Sequence, residues 1–119
     1  LNSILYTGTH DNNTIIGWFK SLPKNSINKT KLTRETLLNY FKSKEENIHW
    51  NIIDYAFASS SSMLIIPMQD ILGKDSIARF NEPGTISSLN WSWRMKNKEL
   101  TKAIKEKILE LSIKHKRIR

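Results

Sequence analysis

The stretch "ILYTGTHDNNTIIGWF", residues 4–19, sets a β-favouring run, a glycine and a helix-forming segment in immediate succession. Its first part, Ile4 to Thr7, is predicted to be a short strand that Gly8 ends. His10 and Asp11 follow in the connection to the helix. On spacing alone, Asp11 fits a helix cap or turn residue as well as a functional carboxylate, and His10 fits a turn residue that bonds the backbone.

The helical part of this stretch is recognised by its apolar spacing. Ile15, Trp18 and Phe19 lie at i, i+3 and i+4, so they share one helix face. Asn12 or Asn13 is expected to cap the helix, because an asparagine side chain accepts from the free N–H groups of the first turn. The stretch therefore predicts a strand, a polar turn and a helix.

A second strand is predicted at Met63 to Ile66, where every residue is apolar, as in a parallel strand buried on both faces. Two further helices are expected before it, one capped by Thr33 and reaching about Ser43, the other capped by Asn47. A last helix is expected over about 98–115, after a long irregular segment. This order predicts an α/β fold with parallel strands. Because two strands make no stable covered sheet, further strands are expected on the N-terminal side.

The composition narrows the possible chemistry. The 119 residues include no cysteine, so the sequence offers no disulfide framework and no thiolate metal site. His10, His49 and His115 lack metal-ligand spacing, and neither a metal nor a cofactor is expected. No apolar run approaches the roughly 20 residues of a membrane helix. We therefore expect no membrane partner and a reducing, cytoplasmic location.

The net charge of +8 raises a second class of function, a module that binds nucleic acid or another polyanion. The basic residues concentrate between Lys20 and Arg34 and in the tail from Lys114 to Arg119. A basic balance alone is a weak indicator of a partner, so a solvated surface is expected and no nucleic-acid partner.

Polar residues follow both predicted strands. His10 to Asn13 come after the first strand, and Gln69 and Asp70 come after the second. Active-site groups of parallel α/β folds lie at the carboxyl ends of strands. The loop after the second strand adds further polar and aromatic residues: Arg79, Asn81, Asn90, Trp91, Trp93 and Arg94. Carboxylates, amides and tryptophans suit a neutral polyhydroxyl ligand. Alternatively, Asp70 has a structural role, pairing with Arg79 or capping a turn, and the two tryptophans belong to the core.

Four motifs occur along the chain in this order: "YTGTHDNNTIIGW", "IIPMQDILG", "ARFNEPGT" and "NWSWR". Together they resemble 4-α-glucanotransferase, also called amylomaltase or disproportionating enzyme. The resemblance implies a (β/α)₈ TIM barrel of the α-amylase-like group, with Ile4 to Thr7 as strand 7 and Met63 to Ile66 as strand 8. Residues 1–119 would then be the C-terminal part of a catalytic barrel, incomplete in this chain, and residues 20–46 a variable loop and helix insertion.

The resemblance also implies the reaction, a retaining double displacement that transfers α-1,4-glucan segments between maltooligosaccharides. Asp11 matches the carboxylate that stabilises the transition state. His10, Asn90, Gln69 and Asp70 match residues that contact the sugar or shape its pocket. The partners implied are the glucan and the remainder of the same barrel.

No stretch of this sequence matches the family's nucleophile or general acid/base motifs. We therefore expect a fragment or truncated gene product that is inactive alone, the alternative being a non-catalytic remnant. Two positions depart from the family pattern. Asn13 replaces the second aspartate of the His-Asp-Asn-Asp motif, and Leu89 replaces the glycine before Asn90, where glycine lets the backbone approach a ligand closely.

Overall fold

The computed structural model describes residues 2–25 and 31–118. Strands β1 (Ile4–Tyr6) and β2 (Met63–Ile65) pair in parallel, which confirms the predicted α/β order and strand direction. The helices are α1 (Ile15–Ser21), α2 (Arg34–Phe41), α3 (Ile48–Phe57), α4 (Met68–Ile71) and α5 (Lys102–Lys114), with single turns of 3₁₀ helix at Glu45–Asn47 and Ser76–Ala78.

The two faces of the sheet differ in burial. Leu5 pairs with Leu64 on one face, and Leu64 packs against the helices. The other face carries Ile4 and Tyr6 of β1 and Met63 and Ile65 of β2. Ile4 and Met63 are each 53% exposed. The prediction of a strand buried on both faces is therefore wrong for the described residues, because they include no element that covers the second face.

The central core cluster contains four buried side chains on three helices: Ile15, Ile53, Phe57 and Leu111. Four partly buried residues pack around them: Trp50, Ile52, Leu64 and Ile66. Burial of an apolar side chain of this size contributes about 1.5–3 kcal/mol. This cluster fixes the inner sheet face against α1, α3 and α5.

The cap of α1 differs from the prediction. Thr14, not Asn12 or Asn13, is the N-cap, and its Oγ1 accepts from Gly17 N at 3.0 Å. Asn12 Oδ1 accepts instead from Thr9 N at 2.7 Å, and Asn13 Oδ1 from Thr14 N at 2.8 Å. The two asparagines lie too early to reach the first turn of the helix, so they fold the connection itself.

The cap of α2 was predicted correctly. Thr33 and Thr36 form a reciprocal capping box, with Thr36 N donating to Thr33 Oγ1 at 3.1 Å and Thr33 N donating to Thr36 Oγ1 at 2.9 Å. The helix ends at Phe41 rather than Ser43, because Lys42 adopts a left-handed conformation with φ of 51°.

The starts of α3 and α5 were predicted less well. Asn47 makes no side-chain capping bond, and the chain enters α3 through the 3₁₀ turn at Glu45–Asn47. Helix α5 begins at Lys102 behind the cap Thr101, four residues later than expected. Lys98 has φ of 68°, which no residue inside a right-handed helix adopts, and Thr101 has an extended backbone with ψ of 164°, so the helix begins only after Thr101.

The segment after β2, predicted to be irregular, contains α4 and the 3₁₀ turn Ser76–Ala78. Gly17 on α1 lies directly against this turn. A Cβ at Gly17 would collide with Ser76 Oγ and with the Asn13 side chain, which are themselves joined by a hydrogen bond of 3.2 Å. This close approach fixes the loop that follows β2 against the start of α1.

The basic residues of the C-terminal tail form ion pairs and hydrogen bonds with other parts of the chain. Lys114 Nζ lies 2.9 Å from Asp54 Oδ2, and His115 Nε2 lies 2.5 Å from Asp54 Oδ1. Arg117 donates to three main-chain carbonyls at the end of α3, those of Phe57 at 2.9 Å, Ser59 at 3.0 Å and Ser61 at 3.1 Å. These contacts close the C-terminal end of α3, so they weigh against a tail that serves as a polyanion-binding patch.

Arg117→Ala should lower the free energy of unfolding by roughly 1–3 kcal/mol, because it leaves carbonyls at the end of α3 without a charged donor. Urea titration followed by circular dichroism measures the change. Lys105→Ala, on the exposed side of α5, is the matched control and should have little effect. Equal midpoints for the wild type and Arg117→Ala would contradict the structural role of Arg117.

Candidate functional site

A cleft of about 540 Å³ opens at the carboxyl ends of the two strands. Because β1 and β2 are parallel, the residues that follow them meet at this one edge. Polar and aromatic residues from both connections line the cleft, among them His10, Asn13, Gln69, Asp70, Arg79 and Phe80. Of the polar residues predicted to lie near each other, His10, Gln69, Asp70 and Arg79 line this cleft.

Asp11 lies beside this cleft, and its side chain is 47% exposed. Its Oδ1 accepts from Asn81 Nδ2 at 2.8 Å, and its Oδ2 lies 3.2 Å from His10 Nε2. Its main-chain carbonyl accepts from Arg79 Nη2 at 2.9 Å. The carboxylate is therefore held on both oxygens while almost half of its surface faces solvent.

The sequence pattern predicts that Arg79 and Asn81 lie in the polar loop after the second strand, but it does not predict their contacts with Asp11. They lie about 70 residues further along the chain, and no local spacing links the two segments. The parallel strand pair was the available signal, since it brings the segments after β1 and β2 to one edge.

His10 has a side chain that is 58% exposed and an aromatic neighbour. Its ring lies 5.1 Å from the Trp91 ring, centroid to centroid, at an angle of 34°. The rings of Trp91 and Phe80 also meet edge to face, with 5.0 Å between their centroids. The main-chain N–H of Trp91 donates to the Phe80 carbonyl at 2.6 Å. Trp91 is 52% exposed, so it is a surface group beside the site and not a core residue.

The side chain of Asn90 forms hydrogen bonds with other residues of its own loop. Its Oδ1 accepts from Glu82 N at 3.3 Å, and its Nδ2 donates to Thr85 Oγ1 at 3.2 Å and to the Thr85 carbonyl at 3.3 Å. Leu89, which precedes Asn90, is 64% exposed. The amide of Asn90 is thus engaged within residues 82–90 rather than with Asp11.

Asp70 is only 2% exposed, and both its oxygens accept hydrogen bonds. Oδ1 accepts from Ile15 N at 2.8 Å, and Oδ2 accepts from Thr7 Oγ1 at 3.1 Å. Burial raises the pKa of the Asp70 carboxyl above its usual range, and the bonds from Ile15 and Thr7 only partly oppose this. The expected alternative of a pair with Arg79 is wrong, because Arg79 donates to the carbonyls of Asp11 and Asn81.

The fold and the polar strand ends define a class, an α/β protein with a carboxylate site at the carboxyl edge of parallel strands. Residues 1–101 match the family model described as 4-alpha-glucanotransferase. The chain belongs to the 4-alpha-glucanotransferase family.

Curated relatives agree with this assignment. The chain is 43% identical over 118 residues to the 4-alpha-glucanotransferase of Streptococcus pneumoniae serotype 4, covering 98% of this chain and 22% of the relative. It is 38% identical over 112 residues to the 4-alpha-glucanotransferase of Clostridium butyricum, covering 93% of this chain and 22% of the relative. It is 42% identical over 96 residues to the chloroplastic/amyloplastic 4-alpha-glucanotransferase of Arabidopsis thaliana, covering 80% of this chain and 15% of the relative. The chain spans about a fifth of the length of these relatives.

A solved structure is also similar, that of amylomaltase from Streptococcus agalactiae in complex with acarbose. The TM-score is 0.79 at 31% identity, over 96% of this chain and 22% of the other. Among residues 2–25 and 31–118, no helix is long and apolar enough to cross a membrane.

The buried carboxylate of Asp70 predicts a pH dependence of stability. Because its pKa is raised in the folded state, its contribution is fully present below the unfolded value of about 3.9 and is lost as pH rises through the folded pKa. Asp70→Asn removes this group, so the stability of the wild type relative to the variant should fall as the pH rises above about 4. Urea titrations across this range measure the difference, and a difference that rises with pH would contradict the assignment.

Proposed function

We propose that this chain supplies the part of a 4-α-glucanotransferase active site that carries the carboxylate stabilising the transition state. The observation that carries the proposal is the placement of Asp11. It follows β1, lies beside the cleft at the carboxyl edge of the sheet, and is held by His10, Arg79 and Asn81. Membership in the 4-alpha-glucanotransferase family gives this arrangement its chemistry.

The proposed reaction is a retaining double displacement on α-1,4-glucans. A sugar hydroxyl replaces water as the acceptor, so the outcome is transfer. Asp11 bonds hydroxyls next to the reacting carbon, and those bonds strengthen as positive charge develops on the ring. The nucleophile and the general acid/base have no matching motifs in this sequence, so Asp11 would act together with carboxylates from outside it.

The other candidate site residues are assigned to the sugar. His10 and Gln69 line the cleft with polar groups that can bond hydroxyls, and Asp70 shapes its floor. Asn90 contacts the donor sugar after exchanging its bonds to Glu82 and Thr85. The similar amylomaltase was solved with acarbose, which supports a maltooligosaccharide as the ligand.

The architecture we propose is the last two βα units of a (β/α)₈ barrel, with β1 as strand 7 and β2 as strand 8. The exposed apolar face of the sheet supports this, since Ile4, Met63 and Ile65 would face the barrel interior. The remainder of the barrel is then the partner of residues 1–119, and residues 20–46 are a variable insertion. A cytoplasmic location stays a prediction from the cysteine-free sequence.

Residues 1–119 alone should not disproportionate maltotriose, because the proposed carboxylate set is incomplete within them. Separation of the products by thin-layer chromatography checks this expectation. Clear formation of glucose and longer maltooligosaccharides would contradict it.

A chimera tests the proposed role of Asp11. In it, residues 1–118 replace the matching segment of the Streptococcus pneumoniae relative, which is 43% identical to this chain. The chimera should transfer glucan, and Asp11→Asn should reduce kcat by about a hundredfold or more, as expected when a group that stabilises transition-state charge is removed.

Asp75→Asn is the matched control for this chimera, since the Asp75 side chain is 46% exposed, pairs with Lys20 and does not line the cleft. It should keep most of the activity. A folded chimera without activity, or one in which Asp11→Asn and Asp75→Asn behave alike, would contradict the proposed function.

A further inference from the structure

The segment from Arg79 to Trp91 contacts the His10–Asp11 pair at three points. Arg79 reaches the main chain of Asp11, Asn81 reaches its carboxylate, and the Trp91 ring lies on the His10 ring. All three contacts come from the connection after β2, whereas the pair belongs to the connection after β1. We call residues 79–91 the clamp segment.

Asn81 sets the orientation of the carboxylate. Its Nδ2 donates to Asp11 Oδ1 at 2.8 Å, which leaves Oδ2 on the side of His10. An aspartate whose side chain is 47% exposed would otherwise sample several rotamers in water. A single directed donor on one oxygen selects one rotamer and presents the other oxygen in a defined direction.

Arg79 ties the two main chains together at this point. Its Nη2 donates to the Asp11 carbonyl at 2.9 Å, and its Nε donates to the Asn81 carbonyl at 2.9 Å. One planar guanidinium therefore bonds the main-chain carbonyls of both Asp11 and Asn81 and holds them at a fixed separation. The distance between the carboxylate and its amide donor thus depends on a rigid group and not only on their own contact.

The clamp segment has closing contacts of its own. Trp91 N donates to the Phe80 carbonyl at 2.6 Å, and the two rings meet edge to face at 5.0 Å. Asn90 bonds Glu82 N and Thr85 within the same segment. Asn81 is therefore presented by a loop that is closed independently of Asp11.

We propose that Asn81 is a positioning residue for Asp11, with Arg79 fixing the spacing of the two main chains. This inference rests on the proposed function, since it assigns Asn81 a role through the carboxylate rather than through contact with the sugar. A carboxylate oriented before the substrate arrives needs no reorganisation as charge develops. The role is distinct from folding, because the contact is partly exposed and lies outside the core cluster.

The first test needs no activity and uses the full chain labelled with ¹⁵N. The side-chain amide of Asn81 should give resonances shifted from those of an exposed asparagine such as Asn97, and Asp11→Ala should remove the shift. Glu106→Ala, on the exposed side of α5, is the control and should leave it unchanged. An Asn81 amide that does not respond to Asp11→Ala would overturn the proposal, and so would a spectrum without dispersed amides.

The second test measures kcat and KM for glucan transfer in the full gene product that carries this chain. Asn81→Leu should lower kcat roughly ten- to hundredfold with KM changed less than about threefold, because orientation matters most in the transition state. Asn81→Asp should be at least as impaired, since it removes the donor and sets a second carboxylate against Asp11. Asn81→Gln, which keeps an amide donor, should recover part of the activity.

Asn97→Leu is the control, an exposed asparagine in the same connection. Unchanged kcat in Asn81→Leu, or a rise in KM alone, would overturn the positioning role while wild-type activity still supports the proposed function. An inactive wild type would instead count against the proposed function, and the amide resonances would then decide the contact between Asn81 and Asp11.

Discussion

The arrangement at the cleft depends on one buried carboxylate, that of Asp70. It accepts from Thr7 at the end of β1 and from the Ile15 N–H at the start of α1. The connection that carries the candidate site, residues 8–14, therefore has both of its ends tied to a single side chain. Because Asp70 itself lies just after β2 on α4, the same group also joins the two strand ends.

This tie has a cost in stability at neutral pH. Burial raises the pKa of Asp70 even though two donors bond it, so desolvation outweighs the hydrogen bonds that favour its ionised form. A cost of this kind is expected at functional sites, where geometry is held at the expense of free energy. Asp11 is the opposite case. Its side chain is 47% exposed, so it relies on directed contacts from Asn81 and Arg79 rather than on burial.

Much of the fold followed from local patterns. The strands and the Thr33 cap were predicted because β-favouring or wholly apolar runs and capping chemistry act over a few residues, and the parallel direction followed from the order of strands and helices. The start of α5 at Lys102 was missed, since the positive φ of Lys98 and the cap at Thr101 exclude the residues before it from the helix. The bonds from Asn81 to Asp11 and from Asp70 to Ile15 were also missed. They join residues 55 or more positions apart, which no spacing rule connects.

The clamp segment combines firm and weak contacts, and the difference matters for Asn90. Trp91 is held by a main-chain bond of 2.6 Å to Phe80, whereas the Asn90 amide makes bonds of 3.2–3.3 Å, at the long end of the usual range. Long, exposed bonds contribute little and are exchanged at little cost. The Asn90 amide can therefore leave Glu82 and Thr85 at little cost, while the main-chain bond between Trp91 and Phe80 does not depend on the partner that Asn90 takes.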